Sequence, residues 1–240
     1  MTAHIKQPNT GEVLRYLGYR GQEMSSQLAA QIEACGREVA GAAKFAVIYK
    51  HLPIEEISAE KACAGDTAQP ADDPGVRLSE IFLPGKDIAA HLKGCGDAIL
   101  MAATLGADVE RLLLKNEVSD MSRALIMDAC ATQLIEEYLD AFENELREGM
   151  AGESLYLTGR FSPGYGDLPI EIQGEIAAVL DTHRKIGLTV SKTHLLIPRK
   201  SVTAVLGISR KPVRLSARGC DLCSKKADCS FRKEKRKCNE

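Results

Sequence analysis

Apolar residues recur at helical spacing in some stretches of the chain and at strand spacing in others. Between residues 10 and 37, Val13, Leu14 and Leu17, and then Leu28, Ile32 and Cys35, fall on helical faces interrupted at Gly18 and Gly21. Lys44 to Leu52 (KFAVIYKHL) gathers aromatic and β-branched residues and predicts a strand. Residues 58–75, rich in Ala, Asp, Pro and Gly, predict a long surface loop. A short apolar run ends at Pro84-Gly85, Asp87 to Leu92 can make a helical turn, and Ala98 to Leu105 (AILMAATL) reads as a buried strand. After a helix at 107–115, Ser119 or Asp120 can cap a long helix running to Glu148 and closing at Gly149. Its apolar positions are Met121, Leu125, Ile135, Tyr138, Leu139, Phe142 and Leu146, spaced for a scaffold helix.

The second half shortens its elements. A strand at 154–158 leads into Arg160-Phe161-Ser162-Pro163-Gly164-Tyr165-Gly166-Asp167, and Pro169 suits the first turn of a helix. That helix turns Ile172, Ile176, Val179 and Leu180 inward and ends at Gly187. Strands at 193–198 and 201–208, joined by Pro198-Arg199-Lys200, predict a hairpin-like ending. No internal repeat is present. The fold class expected is α+β, a mixed or antiparallel sheet packed with long helices.

Composition narrows the class without changing it. Hydrophobic residues make up 45% and charged residues 27% of the 240, which excludes a disordered or collagenous chain. No apolar stretch approaches the roughly 18 residues needed to span a bilayer, so no membrane role is expected. Met1 to Pro8 lacks the apolar core of a secretory signal, and the expected location is cytoplasmic. The net charge of −2 argues against a polyanion binder as a whole.

That total hides an asymmetry. Residues 210–240 hold eleven Lys or Arg against four Asp or Glu, a balance of +7 that leaves −9 for residues 1–209. The chain therefore divides into a domain of residues 1–209, with 58–75 as a surface loop, and a basic tail of residues 210–240. Cysteines divide likewise. Cys35, Cys63, Cys95 and Cys130 are scattered singly, as small buried thiols are. Cys220, Cys223, Cys229 and Cys238 form C-x2-C-x5-C-x8-C, and in a reduced setting this spacing reads as a metal site.

The usual nucleotide signatures are missing. Gly94-Cys95-Gly96 lacks a third glycine and precedes a strand where the dinucleotide fingerprint follows one. There is no P-loop, no HExxH helix and no nucleophile elbow. Asp181-Thr182-His183 approximates D-x-H-x-x-G but carries one residue too many before Gly187, and it lies on a predicted helix, where a solvated histidine is expected. Residues 160–167 are the most informative stretch. Glycines there let backbone approach a ligand, the Arg160 guanidinium can hold a carboxylate through paired hydrogen bonds, and Tyr165 offers a flat face with a hydroxyl at its edge. A plain Pro-Gly turn with a surface arginine accounts for the same residue types.

RFSPGYGDLP, with the strand before it and the helix after it, resembles the activation domain of cobalamin-dependent methionine synthase, which carries an R-x-x-x-G-Y motif for S-adenosylmethionine. The resemblance runs from about Leu83, through MAATLG at 101–106, to the strands near Ile208. It implies a protein that binds S-adenosylmethionine so that one-electron reduction of cob(II)alamin on a partner chain is trapped by methyl transfer. By motif position Arg160 would bind the methionine carboxylate, Ser162 and Gly164 would offer backbone contacts, and Tyr165 would line the pocket. Glu137, on the long helix, is the acid matched to the cationic end of the ligand. The family tends to have aromatic residues in the last strand, where this chain has Ala204-Val205-Leu206-Gly207. The cysteine tail is foreign to the long multidomain members, so the implied protein is a free-standing version of that domain.

Four thiolates in the tail can hold a [4Fe-4S] cluster or close a zinc site; the wide last gap suits a cluster, and only Cys220 with Cys223 forms a close pair. The surrounding lysines and arginines can stabilise a cluster or dock an acidic electron donor such as a flavodoxin or a ferredoxin, and a solvated basic tail accounts for them equally. The function implied is a reactivation component of methionine synthase, or of a related corrinoid protein, that is not a complete enzyme alone. The alternative is an iron-sulfur or zinc protein that senses S-adenosylmethionine or holds a corrinoid protein without catalysis. A nucleic-acid-binding tail is disfavoured, because Phe231 is its only aromatic residue.

Overall fold

The structure, a computed structural model, describes residues 9–19, 21–58 and 74–213. Six strands form one antiparallel sheet in the order β3-β2-β1-β4-β8-β5. They are β1 (Ala46–Ser58), β2 (Gly75–Leu78), β3 (Ile81–Pro84), β4 (Asp97–Thr104), β5 (Tyr156–Leu157) and β8 (Ser201–Ser209). A separate two-stranded ribbon joins β6 (Thr189–Val190) to β7 (Leu196–Ile197).

Strand β4 shows why the sheet is covered twice. Its successive side chains point to opposite faces, and all but the first are buried. Ile99, Met101 and Ala103 join a core built with α1 (Thr10–Tyr16), α2 (Ser26–Ala42), α4 (Ala107–Ser119) and α5 (Met121–Ala151). Ala98, Leu100 and Ala102 join the opposite core, with β2, β3, α3 (Lys86–His91) and α6 (Gln173–Leu180). A short 3-10 turn at Ile170–Ile172 leads into α6, and α7 (Thr182–Ile186) follows it.

Helix boundaries follow their caps. Asn9 accepts from the N–H of Glu12, Ser25 from that of Leu28, and Asp120 from that of Arg123 at 3.0 Å, starting α1, α2 and α5. Gly18 and Gly21, both at positive φ, separate α1 from α2. Asp181 adopts the left-handed conformation between α6 and α7 and splits the helix expected to run to Gly187. His183 lies exposed on α7, as a solvated helix histidine. Among the described residues no helix is long and apolar enough to cross a membrane.

Two expectations need correction. The last two strands do not form a hairpin: β7 pairs with β6, while β8 is inserted between β4 and β5. Strand β8 is buried over most of its length and can satisfy its backbone groups only inside a sheet. Met121 and Leu125 are 67% and 62% exposed, so the inward face of α5 begins only at Ala124, Ile126 and Met127. Cys35, Cys95 and Cys130 are buried as expected. Cys63 and the four tail cysteines lie outside the described residues.

Candidate functional site

The Arg160–Asp167 segment follows β5 along the edge of β8. Phe161 and Val205 exchange backbone hydrogen bonds of 2.9 and 2.8 Å, which anchors the segment one residue after Arg160. Within the turn, the Tyr165 N–H donates to the Ser162 carbonyl at 3.0 Å, and the Gly164 N–H donates to the Leu168 carbonyl at 2.9 Å. Gly164 has φ +87°, so the turn uses a conformation that glycine adopts freely. Those bonds occupy the Gly164 N–H and the Ser162 carbonyl within the turn itself. Tyr165 stands 54% exposed, its ring edge-on to Phe161 at 6.2 Å.

Helix α3 clamps this segment at both ends. Asp167 accepts from the N–H groups of Lys86 at 2.7 Å and Asp87 at 3.0 Å, so it caps a helix some eighty residues earlier in the chain. Gly166 lies against Asp87, and any Cβ there would overlap the Asp87 carboxylate. At the other end of α3, His91 Nε2 is 3.0 Å from both the Gly159 carbonyl and Thr158 Oγ1, and its ring packs on Phe161 at 5.1 Å. The contact to a carbonyl requires a proton on Nε2. Burial lowers the His91 pKa, and the bond to Gly159 opposes that in part. Thr158 Oγ1 in turn accepts from the Gly207 N–H at 2.8 Å. A Cβ at position 207 would lie 2.5 Å from Cys95 Sγ and 2.8 Å from Leu92 Cδ2, which accounts for glycine in the last strand.

The Arg160 side chain turns toward α5, where the i, i+4 and i+7 positions Glu136, Asp140 and Glu143 share one helical face. The guanidinium donates to Glu136 at 2.9 Å, to Asp140 at 3.1 Å and to Glu143. Arg147, one turn further on, donates to the other Glu143 oxygen at 2.6 Å. Burial works against the charge of Arg160, and Glu143, Glu136 and Asp140 more than offset it, so its pKa is raised. The guanidinium is therefore a fixed cation. Its three carboxylate contacts use three of its five N–H donors. Arg147 Nε is buried with no hydrogen-bond partner among the described residues.

Of the residues named from the sequence, the structure brings Arg160, Ser162, Gly164 and Tyr165 together in one turn. It does not bring Glu137 to them. The Glu137 carboxylate takes a hydrogen bond from Gln133 on its own helix, because one residue along α5 is a rotation of about 100°. The acids that meet Arg160 are Glu136, Asp140 and Glu143. Their i, i+4, i+7 spacing was the signal available in the sequence, but it requires knowing which helical face meets the turn.

No protein-family model matches the chain, and no curated protein does. Solved structures do. A crystal structure of the MetH reactivation domain bound to AdoHcy has a TM-score of 0.60 at 13% identity, covering 88% of this chain and 76% of that one. At that identity the likeness is one of fold: the α+β architecture, with an antiparallel sheet packed against helices, is that of the MetH reactivation domain.

Proposed function

We propose that the chain binds S-adenosylmethionine beside Arg160 and acts as the reactivation component of a corrinoid methyltransferase carried on another chain. The observation that carries this reading is the Arg160 cluster, set beside an R-x-x-x-G-Y turn in a fold shared with the MetH reactivation domain bound to AdoHcy. Counted over these five side chains alone, Glu136, Asp140 and Glu143 against Arg147 and Arg160 sum to one negative charge. S-adenosylmethionine, with its sulfonium, ammonium and carboxylate, carries one net positive charge, so cluster and ligand are complementary. The unused Arg160 N–H donors suit the ligand carboxylate, and the exposed Tyr165 ring offers a face to a planar base.

In this reading the residues of the chain bind and orient rather than react. The clamp by α3 fixes the turn, and the acids of α5 hold the cationic end, so that the sulfonium methyl is presented to the partner. A reduced corrinoid on the partner would be the nucleophile that accepts the methyl group, and the donor would leave with the S–CH3 electrons as a neutral thioether, while Arg160, Tyr165 and the α5 acids would hold it in place. The test uses a methionine synthase lacking its own reactivation domain, held as cob(II)alamin with an electron donor and methyl-labelled S-adenosylmethionine. Addition of this chain is expected to restore turnover and transfer label; unchanged turnover with no label transfer would overturn the reading.

A further inference from the structure

Two buried side-chain atoms among the described residues have no hydrogen-bond partner, Gln133 Oε1 and Arg147 Nε. Both belong to α5, and they flank the cluster around Arg160. At 100° per residue, positions 133, 136, 140, 143 and 147 fall within about 80° of one another and make one stripe along the helix. The three middle positions are the acids that Arg160 joins, and the outer two carry the unpartnered atoms. A polar atom shut away from water without a partner costs the chain its hydration and returns nothing, so each has to be accounted for.

The two atoms are opposite in kind. Gln133 Nε2 donates to Glu137, and turning the amide over would set its oxygen against that carboxylate, so the unpartnered atom is an acceptor. Gln133 is only 4% exposed. Arg147 spends Nη2 on Glu143 at 2.6 Å and on the Thr158 carbonyl at 3.4 Å, which leaves its Nε–H as an unpartnered donor on a cation. The stripe therefore carries an acceptor towards the start of α5, a donor towards its end, and the Arg160 cluster between them. Gln133 reaches forward to Glu137 and Arg147 back to Glu143, so the span between the two atoms lies between about 9 and 21 Å at 1.5 Å per residue.

A ligand that answers both atoms carries an anion at one end and a neutral N–H or O–H donor at the other. S-adenosylmethionine has that order, with a carboxylate on its amino-acid end and the ribose hydroxyls and adenine amine on its nucleoside end. Resting on the reading that this site takes S-adenosylmethionine, we propose that Gln133 and Arg147 are two further ligand-binding residues. They set the direction of the ligand along α5. The carboxylate lies towards Arg147, where the Nε–H adds to the donors of Arg160, and a nucleoside donor meets Gln133 Oε1. Neither atom is open to solvent, so the ligand reaches them by parting the contacts between Arg160 and the acids that lie between.

Calorimetric titration of S-adenosylmethionine into the full chain, Gln133→Met and Arg147→Lys tests this, with methionine and 5′-methylthioadenosine as competitors that carry one end each. Gln133→Met keeps the length of the side chain and removes the acceptor. Arg147→Lys keeps a cation beside Glu143 and removes the Nε–H. Each variant should bind S-adenosylmethionine at least about tenfold more weakly. Gln133→Met should weaken competition by 5′-methylthioadenosine and leave that by methionine unchanged, and Arg147→Lys should do the reverse. Gln133→Met should also unfold at a temperature no lower than the wild type, because the atom it removes has no partner, whereas a purely structural glutamine would lower it. Undiminished binding by either variant overturns the proposal and leaves the S-adenosylmethionine site standing. So does a loss shared equally by both competitors, or the crossed pattern, since the ligand then does not lie in this direction. No binding by the wild type overturns the proposal together with the site on which it rests.

Discussion

Residues that determine the geometry around Arg160 act mainly through packing and backbone. Gly207→Ala forces a Cβ to within 2.5 Å of Cys95 Sγ, and should cost about 1–3 kcal/mol in denaturant unfolding without touching any polar group. Asp167→Ala removes two backbone acceptors from the start of α3 and should cost about 1 kcal/mol by the same measurement. His91 makes a pH-dependent contribution whose sign is fixed by burial. Its folded pKa is lowered, so the unfolded chain binds its proton first as pH falls. Stability should be fully present above about pH 6.5 and decline below it, by at most about 1.4 kcal/mol per pH unit, and His91→Gln should flatten this slope. The turn itself was legible in the sequence, because glycine and proline advertise a turn and Arg160, Ser162, Gly164 and Tyr165 lie within it. Which acids of α5 meet Arg160 was not legible in it. Adjacent acids differ by a third of a helical turn, and only the docking of α5 decides which one reaches Arg160.

Elements followed sequence pattern wherever a local cap or period determined them. A cap for α5 at Ser119 or Asp120, where the structure uses Asp120, the buried β4 and the break between α1 and α2 were all legible, since each is fixed by neighbours within a few residues. The ending of the chain was not. Nothing local to Pro198-Arg199-Lys200 reveals that β8 bonds to β4, about a hundred residues away, rather than to β7. The start of α5 was misread for a related reason: Met121 and Leu125 have the right period, but the neighbouring helices cover other positions. Their exposure gives a direct comparison. Leu125→Glu should change unfolding free energy by no more than about 0.5 kcal/mol, whereas Met127→Ala, at a fully buried site on the same helix, should cost about 2–5 kcal/mol.

At the scale of the whole molecule, the sheet has two buried faces with different tasks. The face carrying α1, α2, α4 and α5 supplies the acids that meet Arg160, and the face carrying α3 and α6 holds the turn from behind. The fold class was visible in the sequence as alternating helix and strand periods together with the R-x-x-x-G-Y stretch. The residues that complete the site were not, because they converge from α3, α5 and β8. The central claim is that this convergence makes a site for S-adenosylmethionine. Calorimetric titration of S-adenosylmethionine into the full chain and into Arg160→Ala tests it most directly. Saturable one-to-one binding by the wild type, weakened at least tenfold in a variant that remains folded, is the predicted result. Equal binding by the two proteins, or no binding by the wild type with or without a cobalamin-bearing partner present, would contradict it.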